Sequence, residues 1–262
     1  MLYLCTEDSV SGIKFWKFIC ANLFQNIEII DLGKNSNNTK LADFVCGLTD
    51  KENTYLICYD IAFDNMEVMN TYSQIIQYIK TNNMTNIKLL DIISFEYALL
   101  SFSELENWCF ATVDEFREKR KEFLECRKIL LNTDDLIDYR ELSEIKKFVE
   151  KHPKASTIER VCSRLLFQIT RNTGFVVDKG IIGDCWCKNC CLLEREDDDK
   201  CGLEEKGFLT NALKALVIFE KSCLKESFAR LGIEVKSSIK NEIIFENQKQ
   251  NGDSIYDEFI SD

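Results

Sequence analysis

A chain of 262 residues, 45% of them hydrophobic, is long enough to bury a sizeable core and has the make-up of a folded protein. Its formal charge of −11 argues against a broad electrostatic grip on nucleic acid, although a local basic groove or a metal bridging carboxylates to phosphate stays compatible with it. No run approaches the roughly 18 apolar residues that span a bilayer, and no secretory signal is legible after Met1, so the expected compartment is the cytoplasm, with no membrane partner.

The first hundred residues alternate between strand-like and helix-like patterns. "LYLC" is a short apolar run that ends at Thr6-Glu7-Asp8. "GIKFWKFICANLF" then places Ile13, Trp16, Ile19, Cys20 and Leu23 at helical spacing. "IEIIDL" predicts a second strand, followed by the turn-rich "GKNSNNTK" and a short helix over 40–48. Tyr55 to Tyr59 read as a strand buried on both faces, "EVMNTYSQIIQYIK" as a helix and "NIKLLDII" as a fourth strand. Strands separated by helices predict a small, mostly parallel sheet flanked by helices. From about residue 106 the pattern is mainly helical, so the chain divides into an α/β part over 1–105 and a helical part over 106–262.

In the helical part, Thr112 to Glu115 form a capping-box pattern that opens a helix toward Leu131. Asp134 and Asp135 can cap a second helix that ends before Pro153, and Ser156 to Glu159 form another capping box. A last long helix is predicted over 207–231 with Gly232 closing it, then a polar tail with a short strand near "EIIF".

Thirteen cysteines in a chain without secretory features are expected to be reduced, and Cys20, Cys58, Cys126, Cys162 and Cys223 sit in periodic apolar stretches as small hydrophobes. "GDCWCKNCCLLEREDDDKCG" is different, because it gathers Cys185, Cys187, Cys190, Cys191 and Cys201. Cys187 and Cys190 form a C-x-x-C knuckle, and with Cys185 or Cys191 and Cys201 they could complete a structural zinc site. The same pattern also fits a reduced cluster of buried thiols, or a redox pair. A Ser-His-Asp site is improbable, since the one histidine, His152, adjoins Pro153. "GKNSNN" lacks the residues of a phosphate-binding Walker loop.

Acidic residues fall at or just beyond three strand ends: Glu7, Asp60 with Asp64, and Glu96. Each of them could simply cap a turn or a helix. Taken together they would repel one another at the carboxyl edge of a parallel sheet, unless a proton or a hard divalent cation intervened.

The order of these elements resembles the TOPRIM-like domains of topoisomerases, primases and OLD-type nucleases. "LYLCTEDSVSGIKFWKFI" is similar to the family's strand ending in Glu and its following helix, "IEIIDLGKNSNN" to its Gly-Asn turn, and "YLICYDIAFDN" to its strand ending in Asp-x-Asp. "ISFEYALLSF" resembles the acidic helix start found in nuclease-type members. Asp8 stands where the family has glycine, and Ala62 where it has the second Asp. The resemblance covers residues 1–105. It implies Mg²⁺ or Mn²⁺ held by Glu7 and Asp60, with Asp64 or Glu96 assisting, and phosphodiester cleavage in nucleic acid. The alternative it leaves open is a catalytically degenerate interaction protein, whose helical, zinc-stabilised half binds a protein partner.

Overall fold

The structure, a computed structural model, describes residues 1–8, 11–24, 26–33, 37–106, 117–118, 120–172, 200–201 and 212–233. Four strands, β1 (Leu2–Thr6), β2 (Ile27–Ile30), β3 (Thr54–Asp60) and β4 (Ile87–Ile92), form one sheet in the order β2-β1-β3-β4. Every pairing in it is parallel. Connecting these strands are α1 (Ser11–Leu23), α2 (Asn38–Cys46) and α3 (Met66–Thr81), and α4 (Phe95–Ser101) follows β4. The expected α/β arrangement is therefore observed, strand by strand.

Alternation along β3 explains how both faces of the sheet are covered. Leu56 and Cys58 join one buried cluster with Leu4, Phe15, Trp16 and Leu90, whereas Tyr55, Ile57 and Tyr59 join a second with Leu41, Val45, Val68 and Ile75. Side chains two apart share a face, so α1 and α4 pack on one side and α2 and α3 on the other. A strand buried on both faces needs a continuous apolar run, and "YLICY" supplies it.

The helical part contributes α5 (Lys121–Asn132), a 3₁₀ turn (Tyr139–Glu141), α6 (Ser143–Lys151), α7 (Ile158–Thr170), α8 (Ala212–Glu220) and α9 (Cys223–Arg230). It shares its core with the sheet: Cys126, Phe148, Leu165, Phe219 and Phe228 belong to the cluster that holds Leu4 and Trp16. Phe228 stacks on Phe24, just beyond α1, with ring centroids 5.2 Å apart. Residues 161–169 of α7 are all buried, so this helix runs through the interior of the helical part.

Two expectations change. The helix expected after Asp134 begins about two turns later: Asp135 instead accepts from the Ile137 N–H in a turn, and α6 starts at Ser143. The single helix expected up to 231 is two, broken at Lys221-Ser222, where the Ser222 side chain caps α9. Gly232, with φ of 72°, closes α9 as expected. The capping box at Thr112 to Glu115, the strand near "EIIF" and Cys185, Cys187, Cys190 and Cys191 lie outside the described residues. Cys201 is described only in backbone, paired with Arg171 where β5 (Arg171–Asn172) and β6 (Lys200–Cys201) run antiparallel. Cys20, Cys58, Cys126 and Cys162 are buried free thiols, and Cys223 is a half-buried one. Among the described residues no helix is long and apolar enough to cross a membrane.

Candidate functional site

The strand order reverses direction between β1 and β3: β1 leads outward to β2, and the chain then crosses to β3 and β4 on the other side. At such a switch point the connections leave to opposite faces and open a crevice at the carboxyl ends of the strands. Thr6 pairs with Cys58 and Asp60 with Ile92, so Glu7 and Asp60 lie at that edge on either side of the reversal. Glu96, second residue of α4, joins them from the end of β4.

Asp8 and Asp60 have local reasons for their places. Asp8 is gripped through one oxygen, which accepts from the Thr6 hydroxyl at 2.7 Å and from the Trp16 indole N–H at 2.7 Å. Trp16 is itself fully buried under the sheet. Gly12 permits this approach, because a Cβ there would stand 2.5 Å from Asp8 Oδ1. Asp60 Oδ2 accepts from the Phe95 N–H at 3.1 Å, which ties the first turn of α4 to the end of β3. Ser94 caps the same turn through its hydroxyl, which accepts from the Tyr97 N–H at 3.1 Å. Between Asp60 and Asp64 the chain turns sharply, with Ala62 buried at a φ of 28°.

Burial raises the Glu7, Asp8, Asp60 and Glu96 carboxyls at this edge, and neighbouring charges add to it for Glu7, Asp60 and Glu96. Burial, followed by the Asp8 charge, pushes the Glu7 carboxyl up to about 8, with Glu159 and Glu96 adding to it. Asp60 is pushed well above the usual carboxylate range by burial, then by Glu7, Asp8 and Glu96. Glu96 rises to about 7 through burial and then the charge of Glu159. Asp8 is also raised, by burial, against the pull of its Thr6 and Trp16 bonds. Like charges at short range disfavour full ionisation, so this group holds protons or wants a cation.

Asp64, also expected here, is bonded differently. Both of its oxygens lie 3.0 Å from the Ile158 N–H at the start of α7. One of them also accepts from the Tyr139 hydroxyl at 2.8 Å and from Arg140 at 3.2 Å. Arg140 additionally donates to the Ser156 carbonyl, so Asp64, Tyr139 and Arg140 form a joint between the sheet edge and the helical part. Asp8 and Glu159 were not picked out from the sequence as members of this group. In the sequence Asp8 is legible as a cap for the helix that follows and as an exception to the TOPRIM pattern, and Glu159 as one arm of a capping box.

The acids at this edge are carboxylates, hard oxygen donors of the type suited to Mg²⁺ or Mn²⁺. Among the described residues no three His, Cys, Asp or Glu side chains are gathered into a ready-made metal cage. Mg²⁺ generally needs none, because it is held by one or two carboxylates together with water and substrate phosphate. Comparison of the chain with family models, with curated proteins and with solved structures finds no match.

Proposed function

We propose that the chain is a Mg²⁺-dependent phosphodiester-cleaving enzyme of nuclease type, acting on nucleic acid at the crevice between β1 and β3. The observation that carries this reading is the placement of Glu7 and Asp60 on the two sides of the topological switch point. Ligands of parallel sheets bind at that position. The order of strand-end acids, which resembles TOPRIM-like nucleases, supports the same reading.

In this reading Glu7 and Asp60 hold the cation and Glu96 stands beside it. A bound Mg²⁺ supplies polarisation of a phosphoryl oxygen and acidifies water at the reacting centre. The Phe95 N–H fixes the orientation of Asp60 by donating to its Oδ2. Glu96, whose carboxyl is raised by burial and then by the Glu159 charge in the metal-free chain, is the group beside the site that would carry a proton for general acid–base work. With a chain charge of −11, the contact with a polyanion is confined to this crevice and is mediated by the cation.

A second reading is a protein-binding module with a degenerate site. Asp60 and Asp64 favour it, because both already serve helix N–H groups and so have structural employment. Cleavage of a panel of single- and double-stranded DNA and RNA in Mg²⁺ or Mn²⁺ separates the two. The nuclease reading expects activity that EDTA abolishes, and that Asp60→Asn lowers by on the order of a hundredfold, the size typical for removing one stabilising group at a reacting oxygen. Equal cleavage by both proteins, or none by either, leaves the interaction module.

A further inference from the structure

Strand β4 forms one edge of the sheet. The Tyr55 N–H donates to the Asn86 carbonyl, and the Ile61 N–H to the Ile92 carbonyl. With Tyr55 opposite Ile87 in a parallel register, the even-numbered residues of β4 turn their N–H and C=O groups toward β3. Those of Leu89 and Asp91 point away from the sheet, and among the described residues no strand meets them. Lys88 and Asp91 are exposed on this strand, and charges of that kind guard many edge strands against a partner. An edge left to solvent is therefore the simple explanation, but the path of the chain speaks for an occupant. Helix α9 packs against β4, and the Leu231 carbonyl accepts from the Lys88 ammonium at 3.3 Å. Ile233, where the description stops, packs on the core that the sheet and the helical part share. The chain thus leaves α9 beside the β4 edge, whereas the β2 edge lies three strand spacings, about 14 Å, across the sheet.

We propose that residues 242–245 of this same chain, "EIIF", occupy the outer edge of β4 as a fifth strand of the sheet. Residues 234–262 lie outside the described residues, and their sequence names the occupant. Ile243, Ile244 and Phe245 are the longest apolar run beyond Ile233, all of them β-branched or aromatic, and neither Pro nor Gly occurs over 234–251. The linker 234–241 spans up to about 26 Å at about 3.3 Å per residue, enough to reach any point along β4 from Ile233. A helix stands on either face of the edge: α3, whose Tyr72 hydroxyl donates to Asp91 at 2.7 Å, and α9 above Lys88. Alternate side chains of an added strand then extend the two apolar layers of the sheet, Ile243 and Phe245 on one face and Ile244 on the other. Pairing satisfies the outward backbone groups of Leu89 and Asp91 and closes an edge that would otherwise template a second chain. This inference does not depend on the reading of the β1/β3 crevice as a cation site.

The test follows backbone amide exchange and cross-strand nuclear Overhauser contacts by NMR in the full chain, at several protein concentrations. Wild type is compared with Ile243→Pro/Ile244→Pro and with Ile243→Val/Ile244→Val. Both prolines are needed, because neighbouring N–H groups of a strand face opposite ways and only one of the two can reach β4. In wild type the Leu89 and Asp91 amides are expected to be protected and to show contacts with residues 242–245. In the double proline variant they should exchange roughly tenfold faster or more, since protection follows the free energy of local opening. The valine variant should keep wild-type protection, and the Leu56 and Ile57 amides of the central strand should be unchanged in all three. Leu89 and Asp91 exchanging as open amides in wild type overturns the proposal, as does the absence of contacts between them and residues 242–245. Equal protection in wild type and the proline variant also overturns it, because something else then covers the edge. Protection that grows with protein concentration assigns the edge to a second copy of the chain and overturns it too.

Discussion

Arg127 shows how one buried side chain secures the carboxyl end of a helix. It is 9% exposed, and its guanidinium donates to the Leu100 carbonyl at 2.7 Å, the Phe102 carbonyl at 2.9 Å and Glu106 at 3.0 Å. The last carbonyls of α4 have no partner within the helix, so a planar donor from α5 fills the gap. Arg127→Met keeps most of the volume and removes the donors, which should cost about 2–3 kcal/mol as a lower urea midpoint. Arg127→Lys should recover little, because a single ammonium cannot reproduce the fork. Asp60 and Asp64 carry the same lesson in the acidic group. They are the same residue type on one short loop, yet one faces like charges at the crevice and the other is consumed by Ile158, Tyr139 and Arg140.

At the level of elements, some helix ends are decided by tertiary partners where the local cap alone would not predict them. The capping box read at Ser156 is an example: Thr157, not Ser156, accepts from the Arg160 N–H, at 3.4 Å, and the Ile158 N–H goes to Asp64. The break between α8 and α9 is another. The Lys221 carbonyl accepts from the Ser103 N–H at 2.9 Å, and the Cys223 N–H donates to the Ser101 hydroxyl at 2.9 Å. Those two bonds reward a kink that an apolar periodicity over 207–231 cannot reveal. Ser94 is a local cap that also matters to the crevice, since its hydroxyl lowers the Glu96 carboxyl as well as capping α4. Ser94→Ala should cost about 1 kcal/mol in unfolding free energy and shift the Glu96 titration upward, which a carboxyl-resolved NMR titration reads directly.

For the molecule as a whole, the acidic crevice makes stability depend on pH in an unusual direction. Glu7 at about 8 and Glu96 at about 7 both lie above their ordinary value of 4.5, so the folded chain binds their protons more tightly than the unfolded chain does. Their contribution is present in full below about pH 4.5 and is lost as pH rises through about 7 to 8. The metal-free protein is therefore expected to unfold at progressively lower temperature between about pH 5 and 8 by differential scanning calorimetry. Glu7→Gln or Glu96→Gln should flatten that fall, and a flat profile in the wild-type chain would refute the placement of these charges. One apolar core joining the sheet to the helical part means that the loss is felt across both.

Within the sequence itself lay the four strands, their helical connections and the acids Glu7, Asp60 and Glu96 at the strand ends. Apolar runs and period-two or period-3.6 patterns are local, and a parallel sheet brings its carboxyl ends together whatever the side chains are. What only the tertiary structure decided was the fate of each acid once it arrived there. Asp64 finds its N–H partner 94 residues away and Ser101 meets Cys223 across 122, distances over which no spacing rule operates. The addition of Asp8 and Glu159 has the same cause, because repulsion between carboxylates depends on separation in space and on burial, neither of which is written in their order along the chain.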